Sequence, residues 1–494
     1  MTQSDKTDQT DVALPEARGT ILRARGGDVL RYDETGIVMR LSDRVIADIA
    51  ARLPQGGVAA APCGPEQSLT DPETLGDIDA WNLRTAGKWY LFSANLPGDQ
   101  GARQYRRLIA PDPADTPAPI IADAPGALLG IFSIGGARAA QALPRPARFP
   151  WHILAPGDDI GAVGMAGVDA ARATTQPGPL RGITRDAALA EVLLADRRAH
   201  HRALPLCLVR AETDGSASAG ALVTGAAVAN LLVAAQSLAA VAASMGKRAR
   251  ILSIRLDYSL EDVTGDGPAY RDGMLALMAG LTRDLGALGY RKPVFIATFE
   301  CGTARLTDGP VLRAQWELAW NTGGHDLIFT APGYMFAQDG YARPTPDAVI
   351  RMAEMEAQAL TAVYDDAPWF CPTFLLAERH GATIRVKARA MADLVIDAGD
   401  PFGAGHNAGF RLEGASNGAR ITGVALAGDD PQDLILTCDM APEGPVQVLY
   451  AFGADPRDGA TPAACGAVRD TFTLASATGT HLHRWALPCA LPVH

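Results

Sequence analysis

The sequence predicts a three-layer α/β domain over residues 121–372, preceded by a small mixed α/β or β domain and followed by an antiparallel β-sandwich over 373–494. Three observations predict it. From about residue 125, apolar runs of strand length alternate with long helical patterns. Those runs are nearly continuous, as strands buried on both faces of a parallel sheet must be. After Pro372 the helical period disappears, and short strands recur between Gly, Pro, Asn and Asp.

Taken in order, residues 1–17 read as a polar leader. Residues 18–120 hold short strand-like runs, Gly36-Ile-Val-Met-Arg-Leu and Lys88-Trp-Tyr-Leu-Phe-Ser, and end in the proline-rich linker that starts at Ala110. The α/β segment then offers strands at 128–134, 151–154, 204–210, 249–256, 293–299 and 326–331. Helices are expected at 186–200, 222–245, 269–288, 310–322 and 345–364, the last with Thr345 as cap and Pro346 in its first position. Right-handed crossovers between such strands put helices on both faces of one sheet. Beyond 372, strands are expected at 382–387, 394–397, 409–412, 420–426, 433–437 and 446–451.

Composition excludes several functions. The net charge is −11 and no Lys/Arg run supplies a basic face, so nucleic acid is not an expected partner. The longest candidate for a membrane span, 219–245, is mostly alanine and small residues and reads as a buried helix, so no membrane insertion is expected. Met1 to Val12 lacks the basic start and apolar core of a secretory signal. The protein is therefore expected to be made in the cytoplasm, and a particle could still display it outside. Seven cysteines show no CxxC pair and the histidines no zinc spacing, so neither a metal nor another cofactor is expected.

Ligands of a parallel sheet bind beyond the carboxyl ends of its strands, which singles out the loops there. Glu212-Thr-Asp-Gly-Ser-Ala-Ser-Ala-Gly lies between a strand and a helix, where a nucleophile elbow would stand, but G-x-S-x-G is not met. Its plain reading is a tight turn at Gly215 with Ser216 capping the next helix. In 257–267, Asp257, Glu261, Asp262 and Asp266 are either an acid/base cluster or a solvated loop. Asp339 and Arg343 are either a turn-holding salt bridge or ligand contacts. A dinucleotide fingerprint is absent from the Gly135-Gly136 turn.

Five blocks carry a common resemblance. Ser133-Ile-Gly-Gly-Ala-Arg-Ala ends the first strand, and Gly215 follows the next long one. Leu256-Asp-Tyr-Ser-Leu-Glu-Asp precedes the helix of Ala269-Tyr-Arg-Asp-Gly-Met. Arg313-Ala-Gln-Trp-Glu-Leu-Ala and Asp339-Gly-Tyr-Ala-Arg-Pro-Thr close the series. In order and spacing these are similar to the SGNH (GDSL-type) hydrolases, above all their sialate or carbohydrate O-acetylesterase branch. The resemblance spans residues 125–365 and implies a flavodoxin-like sheet.

It also implies a degenerate site. Gly135 stands where the family's nucleophilic serine belongs and Arg343 where its histidine belongs. Ser259 and Leu260 replace a Gln and a Gly, Glu261 survives, and Asp339 is one residue out of register. A glycine cannot attack, and a guanidinium cannot accept a proton. The expected function is therefore non-catalytic: binding of a cell-surface polysaccharide or other glycan through Tyr258, Glu261, Asp339, Tyr341 and Arg343. The chain would sit beside other subunits of an oligomer, for example the spike of a phage-like or gene-transfer-agent particle. The alternative is an active carbohydrate O-acetylesterase with a relocated triad using Ser133 or Ser216. A structural subunit without ligand is the third possibility.

Overall fold

The computed structural model describes residues 19–24, 27–33, 36–39, 78, 80–97, 103–109, 119–158, 170–215, 217–257, 266–301, 309–339, 343–452 and 465–494. The expected leader and most of the proline-rich linker lie outside the described residues. So do Ser216, Tyr258, Ser259, Glu261, Asp262 and Tyr341. The chain falls into two compact units, Met1–Ser68 and Leu69–His494. In the first, Gly19–Ala24, Gly27–Asp33 and Gly36–Met39 form an antiparallel three-stranded sheet.

The second unit is built on one seven-stranded sheet. Its strands are β1 (Leu128–Gly135), β2 (Ile153–Pro156), β3 (Pro177–Pro179), β4 (Leu206–Thr213), β5 (Ala249–Asp257), β6 (Val294–Phe299) and β7 (Asp326–Pro332). They lie in the order β3-β2-β4-β1-β5-β6-β7, and all but the edge strand β3 run parallel. Without β2 and β3, the remaining five follow the order 2-1-3-4-5, the doubly wound arrangement with its switch point beside the first strand. Every residue of β4 and β6 is buried, which accounts for the apolar runs 206–209 and 294–297 in them.

Five long helices cover the faces: α1 (Arg185–Ala199), α2 (Ala226–Ser244), α3 (Gly267–Ala287), α4 (Pro310–Trp320) and α5 (Pro346–Tyr364). Helices α1 and α5 share one apolar cluster with Ile131, Ile153, Val209 and Ile296. Helices α2, α3 and α4 share another with Phe132, Ile134, Leu208 and Ile254. Alternation along each strand sends neighbouring side chains to these opposite layers. By length and composition α2 could cross a membrane; here Ala227, Leu231, Ala234, Leu238 and Val241 are buried in the core. Thr345 caps α5 by accepting a hydrogen bond from the Ala348 amide at 3.3 Å, with Pro346 in the first turn as expected.

The β segments flank this core. Ala80–Ala86, Trp89–Ala94, Arg103–Leu108 and Ile121–Ala122 form an antiparallel sheet. It is tied down by Trp89, whose indole donates to the Ser244 carbonyl at 2.9 Å. At the other end, Thr373–His380, Thr383–Arg389, Asp433–Cys438 and Ile421–Leu426 pair as one antiparallel sheet. Phe410–Glu413, Gln447–Tyr450 and Cys489–Pro492 form a second. Phe374 of the first meets Phe410 and Tyr450 of the second at 5.3 and 4.9 Å. One apolar core runs from Ala80 to Leu491 within the second unit.

Candidate functional site

The carboxyl ends of β1, β5 and β6 converge beneath the N-termini of α1 and the turn Ala137–Ala140, and charge collects there. Arg138, on that turn, donates to Asp257 at the end of β5 (2.9 Å) and to Glu300 just beyond β6 (2.6 and 3.2 Å). One layer deeper, Arg255 grips Asp186 of α1 at 2.8 and 3.3 Å, and Asp186 accepts from the Ser133 hydroxyl at 2.7 Å. Arg185 lies 2.9 Å from Glu356 of α5 without hydrogen-bond alignment, and 3.9 Å from Asp257. Side chains at 253, 255 and 257 alternate onto the α1/α5 face, so β5 itself aligns two of these charges.

Arg138 keeps a tenth of its side chain accessible, and the other six charged groups less. Three guanidiniums thus face four carboxylates in a nearly dry space. Burial alone would raise the Asp257 carboxyl, but Arg138, Arg185 and Arg255 outweigh it and hold it below the usual range. Burial pushes Glu300 up, with Arg138 opposing and the Asp257 anion reinforcing. Glu356 is also raised, by burial first and against the pull of Arg185 and Arg255. Burial raises the Asp186 carboxyl as well, against the pull of Arg255, so of the four carboxyls only Asp257 is held low. Gln315 of α4 holds Glu300 by its backbone: its carbonyl accepts from the Glu300 amide at 2.8 Å, and its amide donates to the Glu300 carbonyl at 3.0 Å.

These pKa shifts fix a pH response. A carboxyl raised in the folded state adds stability below its unfolded pKa and loses it as pH rises through the folded value. Glu300→Gln removes one such group. The native protein is expected to hold its largest advantage over this variant at pH 5 and to lose part of it by pH 8, measured as urea midpoints. A constant difference across that range would contradict a Glu300 carboxyl raised by burial.

Gly135 closes β1 at the centre of this arrangement. A Cβ there would lie 2.7 Å from the Ala139 Cβ and 2.8 Å from the Asp257 carbonyl oxygen. The backbone is pinned as well: the Gly135 carbonyl accepts from the Asp214 amide, and the Gly136 amide donates to the Asp257 carbonyl, both at 3.1 Å. Ser133 is fully buried, with its hydroxyl committed to Asp186. Among the described residues, no histidine hydrogen-bonds to Ser133, Asp257 or Glu300.

The remaining expected site residues are scattered. Gly215 sits in an exposed turn. The helix cap expected from Ser216 is made by Ser218, which accepts from the Ala221 amide at 3.2 Å and starts the single turn Ala219–Leu222. Asp257 is no solvated loop residue; it is buried and ion-paired. Asp339 and Arg343 form an exposed ion pair at 2.8 Å, with further backbone hydrogen bonds that close their own loop. That loop borders the strand ends, because Gln141 donates to the Pro344 carbonyl at 3.0 Å. A second buried cluster lies on the opposite face, where Arg210 clamps Asp158 at 2.9 Å and Glu212 at 2.6 Å.

No family model and no curated protein matches the chain. The solved structures similar to it include these two. One is XAC1771, a carbohydrate acetylesterase from Xanthomonas citri, with a TM-score of 0.48 and 15% identity over 83% of this chain and 86% of that one. The other is NanS, with a TM-score of 0.35 and 10% identity over 49% of this chain and 99% of that one.

Proposed function

We propose that this chain binds carbohydrate through an SGNH-like domain whose strand-end site holds fixed ion pairs in place of an esterase triad. One observation carries the proposal: the space a nucleophile's side chain would need at Gly135 is filled by Ala139 and the Asp257 backbone. The site's carboxylates support it, since Asp257 and Glu300 are already occupied by Arg138. An acyl-transfer site needs a free nucleophile and a base within hydrogen-bond reach, together with room for the acyl group.

Binding is assigned to the rim. The Asp339–Arg343 pair presents a carboxylate and a guanidinium side by side at the surface, a combination suited to paired sugar hydroxyls. Tyr258, Glu261 and Tyr341, expected from the sequence to bind as well, lie outside the described residues. The test is titration of the purified chain with acetylated and deacetylated bacterial polysaccharide. Saturable binding is expected, reduced about tenfold in Arg343→Ala, the loss of roughly one charge-assisted contact. Absence of binding to any glycan, with the chain folded, would overturn the reading.

A further inference from the structure

A second site lies away from the strand-end ion pairs, between α5 and the β segments. It is a cavity of about 400 Å³, within the ~300–1,000 Å³ range of small-molecule sites. Its wall on the α/β side includes Arg351 of α5, and its opposite wall includes Asp397, Phe402, His481 and His483. Phe402 is half-buried and backed by Trp485 at 4.9 Å and Tyr334 at 5.5 Å, so its orientation is fixed by packing.

The polar groups are arranged unequally. Asp397 is neutralised: it accepts from Arg469 at 2.7 Å and from the Gly399 amide at 2.9 Å, and the Arg469 hydrogen bond holds its carboxyl low. Among the described residues Arg351 has no carboxylate partner: its Nε donates to the Thr478 hydroxyl at 2.9 Å, and neither terminal amino group makes a hydrogen bond to them. The hairpin carrying Thr478 is itself anchored, since the Ala477 amide donates to Glu354 of α5 at 2.8 Å. The guanidinium is therefore pre-positioned with its bidentate edge unused. His483 donates from Nδ1 to the Phe472 carbonyl at 2.9 Å, because a carbonyl can only accept, which leaves Nε2 as an acceptor in the neutral ring.

We infer that this cavity binds a monosaccharide unit bearing a carboxylate, such as a uronic acid residue. The unpaired guanidinium edge matches a carboxylate in bidentate geometry. The fixed Phe402 ring offers an apolar face to the C–H side of a pyranose, and His483 and Asp397 can accept from its hydroxyls. A plain anion would leave the ring and the imidazoles unused, and a neutral sugar would leave the guanidinium unused.

The test is titration calorimetry of the full chain at low ionic strength with D-glucuronate, D-glucose and inorganic phosphate. Glucuronate is expected to bind saturably and at least tenfold tighter than either of the others. Arg351→Gln should remove that preference while leaving the circular dichroism spectrum unchanged, and Phe402→Leu should weaken glucuronate without restoring phosphate. Arg343→Ala, which reports on the rim site, should leave glucuronate binding here intact. Phosphate binding as tight as glucuronate, no saturable glucuronate binding, or full affinity in Arg351→Gln would each overturn the assignment.

Discussion

Replacing Arg255 by Met is expected to cost about 3–5 kcal/mol of folding free energy, the range for stripping one partner from a buried ion pair. Arg255 is 1% exposed and, among the described residues, is the only guanidinium hydrogen-bonded to Asp186, itself fully buried. Methionine fills much of the volume but leaves Asp186 with the Ser133 hydroxyl alone, and leaves Glu356 with Arg185 alone. Burial already raises the Asp186 carboxyl, and Arg255 is the largest force holding it down. Without Arg255 that carboxyl rises further. The deficit should be complete at pH 8 and shrink as pH falls toward 5, where protonation relieves the unpaired charge. Chemical denaturation at the two pH values checks this. A loss below about 1 kcal/mol would place the pair among exposed ion pairs, against its burial.

Gly135→Ser is the second large effect. It installs the hydroxyl that an SGNH esterase would carry, at the position where the resemblance puts it. The new Cβ meets a backbone carbonyl and a packed methyl group at under 3 Å, and neither is the end of a flexible side chain. Forcing atoms into such a filled space costs about 1–3 kcal/mol. The variant should unfold at lower urea than the native protein and gain no esterase activity. A variant as stable as the native chain that hydrolyses p-nitrophenyl acetate would show that the glycine is a simple deletion of the nucleophile and that the rest of the machinery survives.

The architecture was legible because its signals are local. Apolar runs such as 206–209 and 294–297 read as buried strands in an α/β setting, and Thr345-Pro346 marks the start of α5. Thr373–His380 was missed: its charged end, Glu378-Arg379-His380, hides the alternation. It turns at Gly381, with φ of 63°, into the strand the sequence did reveal. The short strands β2 and β3, inserted before β4, also carry little signal of their own.

The candidate site was less legible, and the reason is sequence distance. Asp186 and Arg255 stand 69 positions apart, and Arg138 and Glu300 stand 162 apart, so no spacing rule links them. One signal was available. Arg210 and Arg255 interrupt strands that are otherwise apolar on both sides, and a guanidinium buried there requires a carboxylate partner. The carboxylates at 257–267 drew attention as a loop cluster. The structure instead removes Asp257 from that loop and commits it to Arg138.

The most direct test of the account is hydrolysis itself. The purified chain is incubated with p-nitrophenyl acetate and with acetylated polysaccharide, alongside Ser133→Ala and Ser216→Ala. The account predicts acetate release at the background rate for all three proteins. Turnover by the native chain that either serine substitution abolishes would contradict it and establish a working O-acetylesterase.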